Sequence, residues 1–322
     1  MPNHIAHNEF YFDVYSNLPV KMKKEQRYNW KRYKTFGQGH DMVYSYCLAA
    51  PHKAIINYKR LPELRDNNIQ LLALNYIKHL YESKQIDETK LFLYGYLIHH
   101  FFDAKIHPFI IYQTGDYLNS GEYRSYHAIL ENMIDASILK KQGINPIFYL
   151  IHHTVSSNEK LTEDTRTVIR ESFQETYGYE KFDKAFHNYN INFKNWLMLF
   201  YHDPWGIKNF STKPFSGLLK GFRAHRIRFN GTEADQYLNH ERNEWNNPAN
   251  KDDVSNSSYD DLYEEALMEV SQMIARLEEA IDDKANENEI KTIIPNISST
   301  HGYEDPTLKL QYAKENINIR RK

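Results

Sequence analysis

The chain has 322 residues and 38.4 kDa, with 41% hydrophobic and 25% charged side chains, a balance that excludes global disorder and allows a sizeable core. Forty basic against forty-two acidic residues leave a formal charge of -2, so no general affinity for nucleic acid is expected. Only 12 Gly and 11 Pro stand beside 25 Tyr, 17 Phe and 4 Trp, which favours long helices over a many-stranded sandwich; the single cysteine, Cys47, rules out a multi-thiolate metal site.

The first thirty residues lack a basic start followed by an apolar run and a small-residue cleavage site, and a cytoplasmic location is the expectation. Gly37-Gln38-Gly39-His40-Asp41 is a glycine-bracketed loop that places Asp41 at a helix start, and Pro51-His52 opens another helical segment. Apolar residues at three- and four-residue intervals predict helices over Asn68 to Ser83, Glu122 to Leu139 and Glu180 to Tyr201. Leu91 to Tyr112 is as long as a bilayer span, yet it contains His99, His100, Asp103, Lys105 and His107. An aspartate alone costs roughly 2.5–3.5 kcal/mol at a membrane helix centre. The segment is therefore expected to be a buried helix without stable membrane insertion, with Asp87 and Glu88 as its cap and first-turn charge.

Further on, Glu241 to Asn256 is polar and Asn-rich and reads as a surface loop, and no period-two strand series is evident in the chain. After Ser257-Ser258, Leu262, Ala266, Val270, Met273, Leu277 and Ile281 form the stripe of an amphipathic helix. Beyond Asp283 the pattern fades. These readings give an all-α, multi-helix bundle over residues 1–285 and a polar, poorly ordered C-terminal tail over 286–322.

Within the apolar helix, His99, Asp103 and His107 recur every four residues and so share one face. Imidazole and carboxylate are the ligands zinc takes where thiolates are lacking, although a hydrogen-bonded seam between helices would use the same residues. One loop later His127 and Glu131 stand at the same spacing, with Asp135 one step further along that face. Consecutive helices usually pack together, so this pair could meet His107, and Asp135 would suit as acceptor from the outer N–H of a metal-bound imidazole. His100 lies about 100° round the helix from His99 and reads as core.

The order of these pieces resembles the bacterial zinc-dependent phospholipase C family: His7, Gly-x-Gly-x-Asp41, His52, His99-x-x-x-Asp103-x-x-x-His107-Pro108 and His127-x-x-x-Glu131. The opening Met-Pro-Asn-x-x-x-His looks like its leaderless intracellular branch, and the likeness covers about residues 1 to 140. It implies a helical bundle around three zinc ions, and two to three are expected in this chain. Asp41, His52, His99 and Asp103 would hold one ion, His107, His127 and Glu131 a second, and His7 with the other oxygen of Asp103 a third. Two departures stand out: no tryptophan precedes His7 to supply a terminal amine, and His40 occupies a position where proline is expected. Loss of Met1 would leave the amine of Pro2 to take the tryptophan's part.

The chemistry implied is hydrolysis of a phosphodiester by metal-bound hydroxide, with Asp41 or another nearby carboxylate orienting it, on a phospholipid head group or a nucleotide. A nuclease or nucleotide phosphodiesterase on the same scaffold, and a non-catalytic helical binding protein, are the alternatives.

Overall fold

The computed structural model describes residues 4–27, 35–42, 63–65, 68–118, 120–149, 160–184, 203, 205, 207–211, 214, 229–314 and 319. Helices dominate: α1 (His4–Asn17), α2 (Val20–Arg27), α3 (Ile69–Leu80), α4 (Ile86–Thr114), α5 (Gly121–Lys141), α6 (Glu163–Tyr177) and the short α7 (Ile207–Ser211). Then come strands β1 (Trp245–Asn247) and β2 (Asn250–Ser255), and helices α8 (Tyr259–Asp282) and α9 (Glu287–Ile293).

The 29-residue α4 runs through the centre, with α1, α3, α5, α6, α8 and β1 against it, and nearly every side chain from Glu88 to Thr114 is buried. A helix that is apolar all round has no solvent face to offer and is stable only when enclosed in this way. Asp87 and Glu88 lie in its first turn, but neither caps it: the N-cap is Gln85, whose backbone N–H donates to Ser83 Oγ. Pro108 lacks the N–H that would bond the Ala104 carbonyl, and Gly302 packs onto that oxygen so closely that a Cβ would come within 2.9 Å.

Local signals explain the other boundaries. Ser120 accepts from Tyr123 N at the start of α5, Thr162 caps α6, and Ser258 with Asp261 forms a capping box ahead of α8. The six apolar residues of the α8 stripe are all buried. Phe10 of α1 stacks on Phe102 of α4 at 4.1 Å, tying the first helix to the central one. Of the helix expected over 180–201, only residues up to 184 are described.

Two further expectations are corrected. The segment 241–256 contains an antiparallel hairpin, with Trp245 opposite Ser255 and Asn246 opposite Val254. Its pairing rests on the buried Trp245, whose indole N–H donates to Ser257 O, and on backbone bonds that leave no apolar alternation to read. Nor is the stretch 286–301, the start of the expected tail, loose. Asn286 and Glu289 make a capping box for α9, and Ser298 to His301 are buried. Their polarity reflects hydrogen bonds inside the protein: Ser299 N and Ser298 Oγ donate to the Arg65 carbonyl, and the His301 carbonyl accepts from Asn247 Nδ2. Among the described residues no helix is long and apolar enough to cross a membrane.

Candidate metal centre

Two groups of buried donors lie side by side. His7, Asp41, His99 and Asp103 bring ligand atoms within 4.8 Å of one another, and so do His107, His127 and Glu131. The four-residue period of α4 turns His99, Asp103 and His107 to one side, α5 contributes His127 and Glu131, α1 contributes His7, and the glycine loop contributes Asp41. All seven residues are at most 4% exposed.

Asp103 joins the groups. Its Oδ2 is 3.3 Å from His99 Nε2, while its Oδ1 is 3.2 Å from His7 Nε2 and 3.4 Å from His107 Nε2. His99 Nε2 is also 3.3 Å from Asp41 Oδ2. In the second group His127 Nε2 is 3.0 Å and His107 Nε2 3.9 Å from Glu131 Oε1. A tetrahedral ion with bonds of about 2.0–2.1 Å has donors about 3.3–3.4 Å apart, close to the separations in the first group. His99 Nε2 and Asp103 Oδ2 face each other without reaching hydrogen-bond geometry, as donors to a common cation would.

The outer nitrogens fix the tautomers. His107 Nδ1 donates to the Ser299 carbonyl at 2.8 Å and His99 Nδ1 to the Gly37 carbonyl at 3.2 Å, so both Nε2 lone pairs are aimed into the cluster. His100 does the reverse, donating Nε2 to the Ile297 carbonyl at 2.8 Å, away from the donors.

Without a cation among them the donors polarise one another. Burial opposes a charged His99, yet Asp103 and Asp41 outweigh it and raise its pKa to about 10. Burial also resists ionised Asp41, but His99, His40 and Arg65 hold its carboxyl well below the usual range. Asp103 is likewise held low by His107, His99 and His7 against its burial. His107 goes the other way, to about 4, chiefly because it is buried. Three buried carboxylates facing imidazoles are an anionic pocket suited to a hard or borderline divalent cation.

The fate of the remaining site expectations differs. His52 and Pro2 lie outside the described residues. Asp135 does not accept from an imidazole. It accepts the backbone N–H of Ala6 at 2.9 Å and of Ile5 at 3.2 Å, because the buried N-terminus of α1 points at α5 and its amides need an acceptor. Burial pushes its carboxyl well up, so it serves as a hydrogen-bond acceptor for those amides rather than as a charge, and it thereby fixes the helix that carries His7. Sequence reasoning missed Arg65, whose Nη2 donates to Asp41 Oδ1 at 3.2 Å, and the segment Ile297–Ser299 that orients His100 and His107. Neither carried a motif; the one available signal was Ser298-Ser299-Thr300-His301, a polar run too short to weigh against a tail.

No known family model matches the chain, and neither a curated protein nor a solved structure does.

Proposed function

We propose that the chain is a zinc-dependent phosphodiester hydrolase of phospholipase C type. The observation that carries this reading is the pair of adjacent donor groups sharing Asp103. Imidazole and carboxylate donors without thiolate fit zinc, and a carboxylate facing both groups fits two neighbouring ions. The order of the motifs, with its resemblance to the bacterial zinc-dependent phospholipase C family, supports the same reading and a bundle of that type.

Zinc bound there would lower the pKa of a water toward 7 and polarise the phosphoryl group. The protein's own contribution is arrangement. Asp41 faces His99 with one oxygen and Arg65 with the other, and so is placed to orient an attacking water and hold its proton. The Gly37 and Ser299 carbonyls keep His99 and His107 in the ligating tautomer, and Asp135 holds α1 so that His7 stays beside Asp103.

The test is elemental analysis followed by hydrolysis of bis-p-nitrophenyl phosphate. Two to three zinc ions per chain and chelator-sensitive turnover are expected, with His127→Ala and Glu131→Ala each at least about tenfold slower. Less than half an ion per chain after growth in zinc overturns the metal reading. Cleavage of single-stranded DNA but not of a choline phospholipid would replace the lipid substrate with a nucleic acid.

A further inference from the structure

Arg65 is buried, at 6% exposure. It sits where the two donor groups meet. Its Nη2 donates to Asp41 Oδ1 at 3.2 Å, its Nε donates to His40 Nε2 at 3.3 Å, and its Nη1 donates to the Tyr117 hydroxyl. Tyr117 in turn stacks on His127 of the second group, with ring centroids 4.4 Å apart. The guanidinium thus spans from Asp41 in one group to the edge of the other. Its backbone is held as firmly: the Arg65 carbonyl accepts from Ser299 N at 2.9 Å and Ser298 Oγ at 3.1 Å, in the same segment that orients His107.

If Arg65 only neutralised Asp41, it would be redundant once metal binds. Asp41, Asp103 and Glu131 bring three negative charges to the described donors, and the imidazoles bring none when they ligate. Two divalent cations bring four positive charges, and Arg65 adds a fifth. The loaded centre then holds a surplus of two positive charges out of contact with water, an arrangement that is stable only with anions drawn into it. A guanidinium matches the paired oxygens of a phosphoryl group better than any other side chain.

We infer that Arg65 is the anion-binding side chain of this centre, contacting a phosphoryl oxygen of the substrate beside the metal ions, with His40 and Tyr117 positioning its guanidinium. The inference rests on the metal reading above. It also accounts for His40, the residue found where the resemblance leads one to expect proline: its Nε2 accepts the Arg65 Nε–H and sets the plane of the fork.

The experiment compares zinc-loaded wild type, Arg65→Gln and Arg65→Lys. Each is assayed for zinc per chain, for its circular dichroism spectrum and for calorimetric affinity toward inorganic phosphate, phosphocholine and a nucleoside 5′-monophosphate. Arg65→Gln is expected to keep its zinc and bind inorganic phosphate about tenfold or more weakly, the loss typical of a charge-assisted hydrogen bond. Arg65→Lys, which keeps the charge and loses the fork, is expected to fall between, and it carries the test if the glutamine variant does not fold. All three probes should weaken together, because they share only the phosphoryl group; the one wild type binds most tightly separates a lipid head group from a nucleotide. Unchanged phosphate affinity at full zinc overturns the inference. So does a parallel loss of zinc and phosphate, which would make Arg65 a support for Asp41, and so does a loss confined to one probe. Wild type without zinc overturns the metal reading itself, and the arginine's role with it.

Discussion

Replacing Gly39 with Ala tests the first donor group at a point of close approach. Gly39 has φ of +47°, and a Cβ built there would lie 2.5 Å from His99 Cγ, 2.6 Å from Cδ2 and 2.7 Å from Cβ. Ordinary carbon contacts begin near 3.5 Å, so the imidazole would have to retreat by about 0.8–1.0 Å. Metal–ligand distances hold to within about 0.2 Å, and His99 would leave the coordination shell. The helix carrying it has little room to follow, because one turn earlier a Cβ at Gly95 would lie 2.5 Å from Phe36 Cβ. Left-handed strain of about 1–2 kcal/mol and overpacking of about 1–3 kcal/mol combine to about 2–5 kcal/mol. At no more than about 2–4 °C per kcal/mol, the range for domains somewhat smaller than this one, Tm should fall by roughly 4–20 °C. Elemental analysis should show the Gly39→Ala variant losing the ion of the first group and keeping that of His107, His127 and Glu131. Chelator-treated variant and wild type should differ in Tm by the packing and strain alone. Gly37→Ala is the milder companion, since its Cβ would meet Tyr11 at 3.0 Å and its backbone carries no such strain. A Gly39→Ala protein with wild-type zinc content and a Tm within about 2 °C of wild type would refute both the contact and the assignment of His99.

Other perturbations give separate readouts. Asp135→Ala removes the acceptor for the Ile5 and Ala6 amides and should cost about 1–2 kcal/mol in thermal unfolding, with Asp135→Asn losing less because an amide oxygen still accepts; equal losses would count against this cap. For chelator-treated protein, burial holds His4, His100 and His107 near pKa 4, so the unfolded chain takes up protons that the folded state refuses as pH falls from about 6.5. Each should cost about 2 kcal/mol at pH 5. His99, at about 10, acts oppositely: its contribution is full below about pH 6.5 and is lost as pH rises toward 10. Tm of the metal-free protein should therefore fall between pH 7 and pH 5, and a flat profile there would contradict the buried, neutral state of the three histidines. Gly121, which begins α5, has no neighbour within 4 Å of a built Cβ, so Gly121→Ala should raise stability by about 0.4–1 kcal/mol; a lowered Tm would mean that helix start is misread.

The helices were legible wherever a periodic stripe or a strong cap marked them. The α8 stripe and Ser258 located that helix to within a residue or two, and the apolar character of α4 implied its enclosure. The hairpin was not legible, because β2 is largely exposed and its polar residues lack the alternation that a half-buried strand displays. Asp87 resembled a cap because acids favour both the cap and the first turn, and only backbone geometry separates the two positions.

The donors declared themselves for a related reason: helical spacing of four residues is a local property, and His99, Asp103, His107, His127 and Glu131 all exploit it. What orients them is not local. The carbonyl that fixes His107 comes from Ser299, 192 residues downstream, and the carboxylate that anchors α1 comes from Asp135, 129 residues from Ala6. A backbone carbonyl leaves no trace in residue identity, so the segment Ile297–Ser299 could not be distinguished from a solvated tail. Asp135 shared the face of a ligand pair yet served a helix terminus, since a buried carboxylate takes whichever donor is nearest, and the amides of Ile5 and Ala6 reach it first. It follows that the second donor group depends on Ser299, far along the chain, as much as on its own helices. Ser299 accepts from His107 Nδ1 and, with Ser298, donates to the Arg65 carbonyl, so one short segment sets the His107 tautomer and anchors the backbone from which the guanidinium reaches Asp41.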